Sequence, residues 1–299
     1  MYDILLLRKR SIANTGFACI ASGRLNYNGG ANSITYVQEY TNDAITTGKY
    51  LSVNRYSLAS AGNSELGLFA GGNNHSPAGA YATVDKYFFA TRTLTAGGSM
   101  PSVRLEAAGA SNSVQAVFRN GRSETGAYLR STHKYLYASA TWAAGAASTS
   151  DRRFTAAAGN STLAIYDSGF YGTLITDKYV HATDSQQTGT SLAADKTAYA
   201  RSATGNSSYG YFAGGTYNSA SVKWVDKYNY SSDVRTSITV LPTDMASGFG
   251  YGHTQTGYLS MGNDIKKLDY ATDSWTVTGG FGPYINGGAA VSSTPGWKV

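Results

Sequence analysis

The chain has very little of several residue types that would indicate particular classes of protein. It has one cysteine, so it can form no internal disulfide and no cysteine-based metal site. Five prolines in 299 residues exclude a collagen-like or polyproline rod. No window approaches 18 consecutive apolar residues, so we expect no membrane insertion. The apolar run Ile4–Leu7 is only four residues long and precedes the basic residues, which is not the order of a secretory signal.

Charged residues are also scarce. They make up 14% of the chain, against about 25% in an average soluble domain, and glutamate occurs four times. The net charge of +6 therefore reflects few acids rather than many bases. We interpret the one basic run, Arg8-Lys9-Arg10, as a solvated turn rather than a phosphate-binding patch. The composition gives no reason to expect a nucleic-acid partner.

Glycine (35 residues) and tyrosine (24 residues) are abundant instead. Gly, Ser, Thr, Tyr and Asn rank low in helix propensity and favour short strands joined by tight turns. A hydrophobic fraction of 42% with 13% aromatic residues excludes a simple disordered chain. The sequence therefore favours an all-β fold.

Short elements recur along the chain with a period of about 47 residues. Strand a consists of small residues and ends in a turn such as Gly-Asn-Ser. Strand b has an aromatic residue between small ones, most clearly in Gly67–Gly72 and Gly210–Gly215, and strand c ends in Lys-Tyr, as in Val225–Tyr228. The central residues of strand b fall at 69, 118, 166, 212 and 259. Segments around Trp142 and Trp275 supply a fourth strand, d.

Four strands in about 47 residues are typical of one blade of a β-propeller. Seven copies of strand a, six full periods and two incomplete ends predict one propeller domain over residues 1–299. We expect seven blades, with six as the alternative. Asp3–Leu7 should pair with the C-terminal segment, Gly296–Val299, to complete the last blade, because an open ring leaves two unpaired edges. The rival interpretation makes residues 1–9 an arm to a neighbouring subunit. In either case Phe69, Phe118 and Phe212 should pack between adjacent blades.

The repeats resemble kelch repeats. The resemblance rests on the aromatic-x-Gly-Gly of strand b, the tyrosine of strand c about 15 residues later, and the tryptophan of strand d in two repeats. It covers nearly the whole chain, but the glycine pair stands only at Gly71-Gly72 and Gly214-Gly215. Residues 210–215 and 225–233 are similar to kelch-like proteins of tailed bacteriophages, which carry Gly-Tyr-Phe-Ala-Gly-Gly followed by Val-Asp-Lys-Tyr-x-Tyr-x-x-Asp.

The phage resemblance implies a virion component, which would be a tail fibre, a tail-tip or nozzle protein, or a capsid-attached protein. Such a protein is made in the host cytoplasm and is structural or adhesive. It would occur in multiple copies per particle. Its partners would be other tail or capsid proteins and, as a further contact, a glycan or protein of the host surface. The alternative is a cellular kelch-type protein-interaction module, and a carbohydrate-binding or oxidase-like propeller is a third interpretation.

The sequence contains no recognisable catalytic constellation, serine elbow or phosphate-binding loop. The strand assignment puts His75 in a b–c loop, His133 and His181 at opposite ends of c strands, and His253 on an a strand. We expect these to be polar surface or edge residues rather than metal ligands. Cys19 lies in the middle of a b strand and should behave as a small buried hydrophobe. The chain is therefore expected to be non-enzymatic, with no catalytic residues, cofactor or metal.

One tyrosine lies in each of five b–c loops, which share one face of a propeller with the d–a loops. These loops are candidate partner-contact surfaces by position, since tyrosine suits adaptable contact loops. The five candidates are Tyr27, Tyr81, Tyr128, Tyr171 and Tyr217.

Arginine recurs at or just before strand a. These arginines could form an anion-binding ring at one mouth of the central channel, or each could donate to loop carbonyls of the neighbouring blade. Their register drifts between repeats, which favours the second interpretation. The residues are Arg10, Arg55, Arg104, Arg153 and Arg201.

Overall fold

The computed structural model describes residues 16–21, 23–25, 31–74, 79–170, 174–191, 198–280, 285–286 and 288–293. The regular structure in these residues is all β-strand, and most of it forms six four-stranded antiparallel sheets. The inner strands of the six sheets contact one another in a closed circle. The sheets are therefore the blades of a single β-propeller, which confirms the predicted fold class.

Each blade has four strands, lettered a to d from the centre outward, and the blades are numbered 1 to 6. From blade 1 to blade 6, strands a are Ala289–Ser292, Ala59–Gly62, Ala108–Ser111, Ala156–Gly159, Ser202–Gly205 and Phe249–Gly252. Strands b are Phe17–Ala21, Leu66–Ala70, Gln115–Arg119, Leu163–Asp167, Tyr209–Ala213 and Thr256–Met261. Strands c are Ile34–Glu39, Thr83–Phe88, Thr132–Leu136, Thr176–Val180, Val225–Asn229 and Asp264–Asp269. Strands d are Ile45–Tyr50, Thr93–Ser99, Thr141–Gly145, Ser185–Thr188, Val234–Ser237 and Ser274–Thr278.

Two short strand pairs lie outside the blades. They are Arg24–Leu25 with Ile285–Asn286, and Thr216–Tyr217 with Ala220–Ser221.

The two ends of the described chain meet in blade 1. Strand a of this blade, Ala289–Ser292, pairs antiparallel with strand b, Phe17–Ala21, so that Ala21 lies opposite Ala289. The last small-residue strand therefore completes the first blade instead of opening a seventh. The structure has six blades, which is the alternative expectation, and the seven-blade count is not confirmed. The predicted pairing of Asp3–Leu7 with Gly296–Val299 lies outside the described residues.

The core is divided into clusters that lie between neighbouring blades. Phe69, Phe118 and Phe212 are each 0% exposed. Phe69 packs with Phe17 of blade 1, Phe118 packs with Leu68 of blade 2, and Phe212 packs with strand a of blade 4. This confirms the predicted position of the three rings. Burial of large rings between blades supplies the main driving force that holds the sheets together.

Small residues of strand a let the blades converge on the axis. A Cβ on Gly109 would lie 2.3 Å from the carbonyl oxygen of Ser60 in the preceding blade, and one on Gly250 would lie 1.8 Å from that of Ala203, also in the preceding blade. Both distances are far below van der Waals contact, so only glycine fits these two positions. The strands enclose a central channel with a cavity of about 150 Å³, lined mostly by glycine, alanine, serine and threonine.

Lysine–aspartate bridges join the outer parts of neighbouring blades. At four interfaces, a lysine of strand c bonds an aspartate in the c–d turn of the next blade, and the same carboxylate accepts a tyrosine hydroxyl. The lysine–aspartate pairs are Lys134–Asp184, Lys178–Asp233, Lys227–Asp273 and Lys267–Asp43. In the same order, the phenols are those of Tyr179, Tyr228, Tyr211 and Tyr258. Each aspartate has a φ between 50° and 56°, a conformation that Asp tolerates better than most residues.

The other two interfaces differ. Between blades 1 and 2 the charges are reversed, since Arg92 in the turn pairs with Glu39 at 2.6 Å. Between blades 2 and 3, the turn position is Ala140, which keeps the positive φ of 54°. The corresponding Lys86 places its ammonium nitrogen 5.1 Å from the ring centroid of Tyr135. The blade 2–3 interface thus has the lysine and the tyrosine of the bridge but has alanine in place of the aspartate.

Candidate binding surface at the channel mouth

The b–c and d–a loops surround one end of the channel, here called the channel mouth. Five residues that stand two positions before a strand a have φ between 54° and 59°. They are Ser57, Glu106, Phe154, Ala200 and Ser247. From Glu106 onward, each donates its backbone N–H to the carbonyl of the one before, with N···O distances of 2.8–3.2 Å. The corresponding residue of blade 1, 287, is outside the described residues.

This arc of backbone hydrogen bonds fixes the rim of the channel. A positive φ is costly for non-glycine residues, and it persists where the surrounding structure determines it. The hydrogen bonds between successive blades provide that constraint, because the backbone N–H of one positive-φ residue donates to the carbonyl of the corresponding residue in the preceding blade. The side chains at these positions are consequently held in defined places around the mouth.

Arg153 stands at the centre of an aromatic cluster on the rim between blades 3 and 5. Its guanidinium carbon lies 4.1 Å from the ring centroid of Phe170, 5.0 Å from that of Phe154 and 5.1 Å from that of Tyr128. Tyr199 extends the cluster, with its ring centroid 4.9 Å from that of Phe170. All five side chains are partly exposed. We call these five residues the mouth cluster.

Glu106 ties the mouth cluster to blade 3. Its two carboxylate oxygens accept from Arg153 at 3.0 Å and from Arg122 at 3.2 Å. Its side chain is 7% exposed, so one largely buried carboxylate faces two guanidinium groups. The three side chains together carry one net positive charge. The ion pair with Glu106 holds the guanidinium of Arg153 against the aromatic rings, on which a guanidinium stacks well.

Of the five predicted contact tyrosines, three lie in the described residues. Tyr128 belongs to the mouth cluster. Tyr81 accepts a hydrogen bond from Asn74 Nδ2 at 2.7 Å, and Tyr217 packs against Trp224 with ring centroids 5.2 Å apart. Tyr27 and Tyr171 are outside the described residues. Of these three described tyrosines, only Tyr128 is in the mouth cluster.

Sequence reasoning missed Phe154, Phe170 and Tyr199. The signal available in the sequence was the position of Phe154 and Tyr199 just before strands a of blades 4 and 5. The sequence-based candidates are all tyrosines of b–c loops, whereas the cluster combines residues from b–c and d–a loops of three blades. The convergence of these loops could not be read from spacing alone.

The arginines before strand a are buried rather than arranged as an open ring. Arg55 and Arg201 donate to the carbonyls of Phe69 and Phe212, at 3.0 and 2.5 Å. Arg104 donates to the carbonyl of Asn120 at 2.6 Å. Each of these carbonyls belongs to the blade whose strand a comes directly after the arginine. The expectation that the carbonyls belong to a neighbouring blade is therefore wrong. Arg10 is outside the described residues.

In blade 4 the predicted residue, Arg153, is replaced in this role by its neighbour. Arg152 donates to the carbonyls of Ser168 at 3.1 Å and Ile175 at 2.9 Å, and it pairs with Asp177. Asp85 and Asp226 hold Arg55 and Arg201 in the same way, each at 2.7 Å. These arginines are thus structural, since buried charges need partners and hydrogen bonds.

His133, His181 and His253 are buried, so the expectation that they are polar surface or edge residues is wrong. Burial, above all, lowers the pKa of each to about 4. They lie in three different blades, and His75 is outside the described residues. No group of three or more His, Cys, Asp or Glu side chains in the described ranges could hold a metal ion. Cys19 is 0% exposed, as expected for a small buried hydrophobe, and burial raises its pKa.

No protein-family model matches the chain, and no curated protein matches it. Within the described part of the chain, no helix is long and apolar enough to cross a membrane. The fold places the chain among the β-propellers, an architecture that is compatible with a protein-interaction module and that also hosts many other functions.

Proposed function

We propose that this propeller is a non-enzymatic interaction module that binds a protein partner through the face around its channel mouth. The observation that carries the proposal is the mouth cluster, in which Arg153 is stacked among three aromatic rings at the rim and Tyr199 packs on one of them. Arginine and tyrosine are enriched in the residues that dominate binding energy at protein interfaces. The rings are partly exposed and are held by neighbouring loops, so a partner would meet an ordered surface.

We further propose that the partner is another protein of a bacteriophage particle, with this chain acting as a structural or adhesive virion component. This finer assignment is supported by the resemblance of residues 210–215 and 225–233 to kelch-like phage proteins. Repeated use in one particle would also suit a propeller that binds through one face. Other tail or capsid proteins would be the partners.

The virion assignment is tested on virus particles purified from cells that carry this gene. Peptide mass spectrometry should find the chain in the particles in a fixed ratio to the capsid protein, and an electron cryomicroscopy map should place the mouth cluster against a neighbour. Recovery of the chain only from the cell lysate would refute the virion role and favour the cellular interaction module.

The interaction surface is tested with Tyr199→Ala and Phe170→Ala introduced into the same genome. Each should reduce incorporation of the chain into particles at least tenfold, while the purified variants remain folded. Tyr217→Ala is the matched control, because Tyr217 also lies on this face but outside the mouth cluster. Equal incorporation of all three variants would refute the proposed surface. A metal ion bound by two or more histidines would overturn the non-enzymatic assignment.

A further inference from the structure

Two cavities meet at Tyr209 on the face opposite the channel mouth, where the a–b and c–d turns lie. The first has a volume of about 290 Å³ and lies at the turns of blades 4 and 5, where Asn160 Nδ2 donates to the carbonyl of Ser207 at 3.0 Å and both residues line the cavity. The second has a volume of about 350 Å³ and extends toward blade 6 as far as Asp273. Tyr209 and Asn229 line both cavities. We call the combined depression the Tyr209 groove.

The walls of the Tyr209 groove are rich in uncharged hydrogen-bonding groups. Side chains of Asn, Ser and Thr line both cavities, and Thr236 of strand d borders the second. Asn229 uses its Oδ1 to accept the backbone N–H groups of Ser231 and Ser232 at 2.9 and 3.1 Å, which leaves its amide nitrogen as the remaining donor. Hydroxyls both donate and accept, so these walls suit a ligand that carries many hydroxyl groups.

The aromatic residue of the groove is not required by the repeat. Tyr209 lies opposite Asn229 in the pairing of strands b and c. The same pair is apolar in blades 2 and 4, where it is Leu66 with Phe88 and Leu163 with Val180. In blades 1, 3 and 6 it is Phe17 with Glu39, Gln115 with Leu136 and Thr256 with Asp269. The repeat therefore does not determine this pair, and among the six described blades it is blade 5 that combines a tyrosine with an amide side chain. That pair presents a flat ring beside hydrogen-bonding groups at the point where the two cavities join.

The charges in the groove are already paired. Lys227 Nζ lies 2.7 Å from Asp273 Oδ2 and 4.2 Å from the ring centroid of Tyr209. Asp273 also accepts the hydroxyl of Tyr211 at 2.8 Å. No unpaired charge in the groove therefore favours an anionic or cationic ligand. The ammonium and carboxylate groups still keep hydrogen-bonding capacity for neighbouring hydroxyls of a neutral ligand.

From these observations we infer that the Tyr209 groove binds a neutral saccharide. A sugar ring offers hydroxyls for the Asn, Ser and Thr walls and a face of C–H groups for the part of the Tyr209 ring that Lys227 leaves exposed. Each cavity lies at the lower end of the size range of ligand pockets, about 300–1,000 Å³, so the groove suits a short oligosaccharide. The inference goes beyond the proposed function and does not depend on it, since the groove lies on the other face of the molecule.

Binding is tested on the full chain by saturation-transfer NMR with four trisaccharides: maltotriose, cellotriose, α-1,6-mannotriose and triacetylchitotriose. At about 10 mM ligand, the experiment detects a Kd of the order of 1 mM. At least one trisaccharide should give a signal. Tyr209→Ala should weaken its binding at least tenfold, and Tyr209→Phe should retain it, because the ring face rather than the hydroxyl makes the contact.

Thr236→Trp provides a second test that does not depend on the folding of Tyr209→Ala. Thr236 is exposed on strand d, so tryptophan should fill the second cavity without disturbing the core and should abolish binding. Thr276→Trp is the matched control, because Thr276 is the equivalent exposed residue of blade 6. The proposal is overturned if none of the four trisaccharides binds, or if Thr236→Trp and Thr276→Trp bind equally well.

Discussion

The interface between blades 2 and 3 can be completed by one substitution. Ala140 occupies the turn position that Asp184 and Asp233 hold in the next two blades, with the same backbone conformation. Tyr135 precedes it by five residues, as Tyr179 precedes Asp184. Lys86 lies over the ring of Tyr135. In Ala140→Asp, the new carboxylate should accept from the ammonium of Lys86 and from the hydroxyl of Tyr135, which creates a fifth lysine–aspartate bridge.

The gain can be estimated from the existing bridges, whose groups are only partly buried. In Lys178–Asp233 the side chains are 16% and 34% exposed, so the ion pair is worth about 0.2–1 kcal/mol. The phenol hydrogen bond adds about 0.5–1.5 kcal/mol. Asp also fits a positive φ better than alanine. We therefore expect Ala140→Asp to raise the free energy of unfolding by about 1–2 kcal/mol, or the melting temperature by a few degrees.

The gain is measured by urea unfolding at pH 7 in low salt, with Ala140→Asn as the matched control. Asn shares the backbone preference of Asp but has no charge, so it should give only a small part of the gain. Lys86→Met keeps most of the aliphatic stem and removes the ammonium, and in combination with Ala140→Asp it should show a coupling of about 0.5–1 kcal/mol. The reasoning is refuted if Asp and Asn stabilise equally, or if Lys86→Met leaves the gain unchanged.

Three further predictions follow from the packing and from the pKa values. Phe118→Ala should lower the free energy of unfolding in urea by about 3–5 kcal/mol, because it leaves a cavity between blades. Val114→Ala, at a position that is 62% exposed, should change this free energy little. Equal losses in the two variants would mean that the Phe118 ring does not contribute to core packing. The three buried histidines have a pKa of about 4 in the folded chain, against about 6.5 in the unfolded chain. The free energy of unfolding should therefore fall as the pH drops from about 6.5 to 4. A variant with Asn at all three positions should show a flatter dependence of stability on pH. A chain that ends at Gly288 loses strand a of blade 1 and should aggregate in size-exclusion chromatography, since the ring then has an open edge, whereas one that ends at Ser293 should stay monodisperse; identical behaviour of the two would show that this strand does not close the ring.

The pH prediction has a second, more acidic part. Burial raises the pKa of Asp233, but hydrogen bonds from Lys178, from Tyr228 and from a backbone N–H more than offset this and bring it to about 2. A folded-state pKa below the unfolded value means that the bridge contributes stability above about pH 4 and loses it as the pH falls through about 2. The acid unfolding curve of Asp233→Asn should therefore lose part of its slope below about pH 5, but none of its slope between about pH 5 and 6.5.

Much of the fold could be predicted because the same local sequence pattern recurs in all six blades. Buried apolar runs in strands b, small residues in strands a and turn residues between strands all act within a few residues, so they are visible in the sequence. The burial of Phe69, Phe118 and Phe212 follows from this pattern. The blade count did not follow, because one small-residue strand at Ala289 can either open a new blade or complete the first one. That choice depends on whether the ends meet, which is a property of the whole ring.

The mouth cluster and the Tyr209 groove were decided by tertiary structure alone. Arg153 lies beside Phe170 and Tyr128 because loops of different blades converge at the channel mouth, and no spacing within one repeat encodes that convergence. The register of the arginines drifts by one residue in blade 4. Arg152 rather than Arg153 is buried there, because its guanidinium is the one that reaches Asp177. The strands could be predicted from the sequence, since they depend on local backbone preference and periodicity, but the burial of His133, His181 and His253 could not. The closed ring decided which side chains meet across blades, because such contacts depend on the angle and order in which the blades pack.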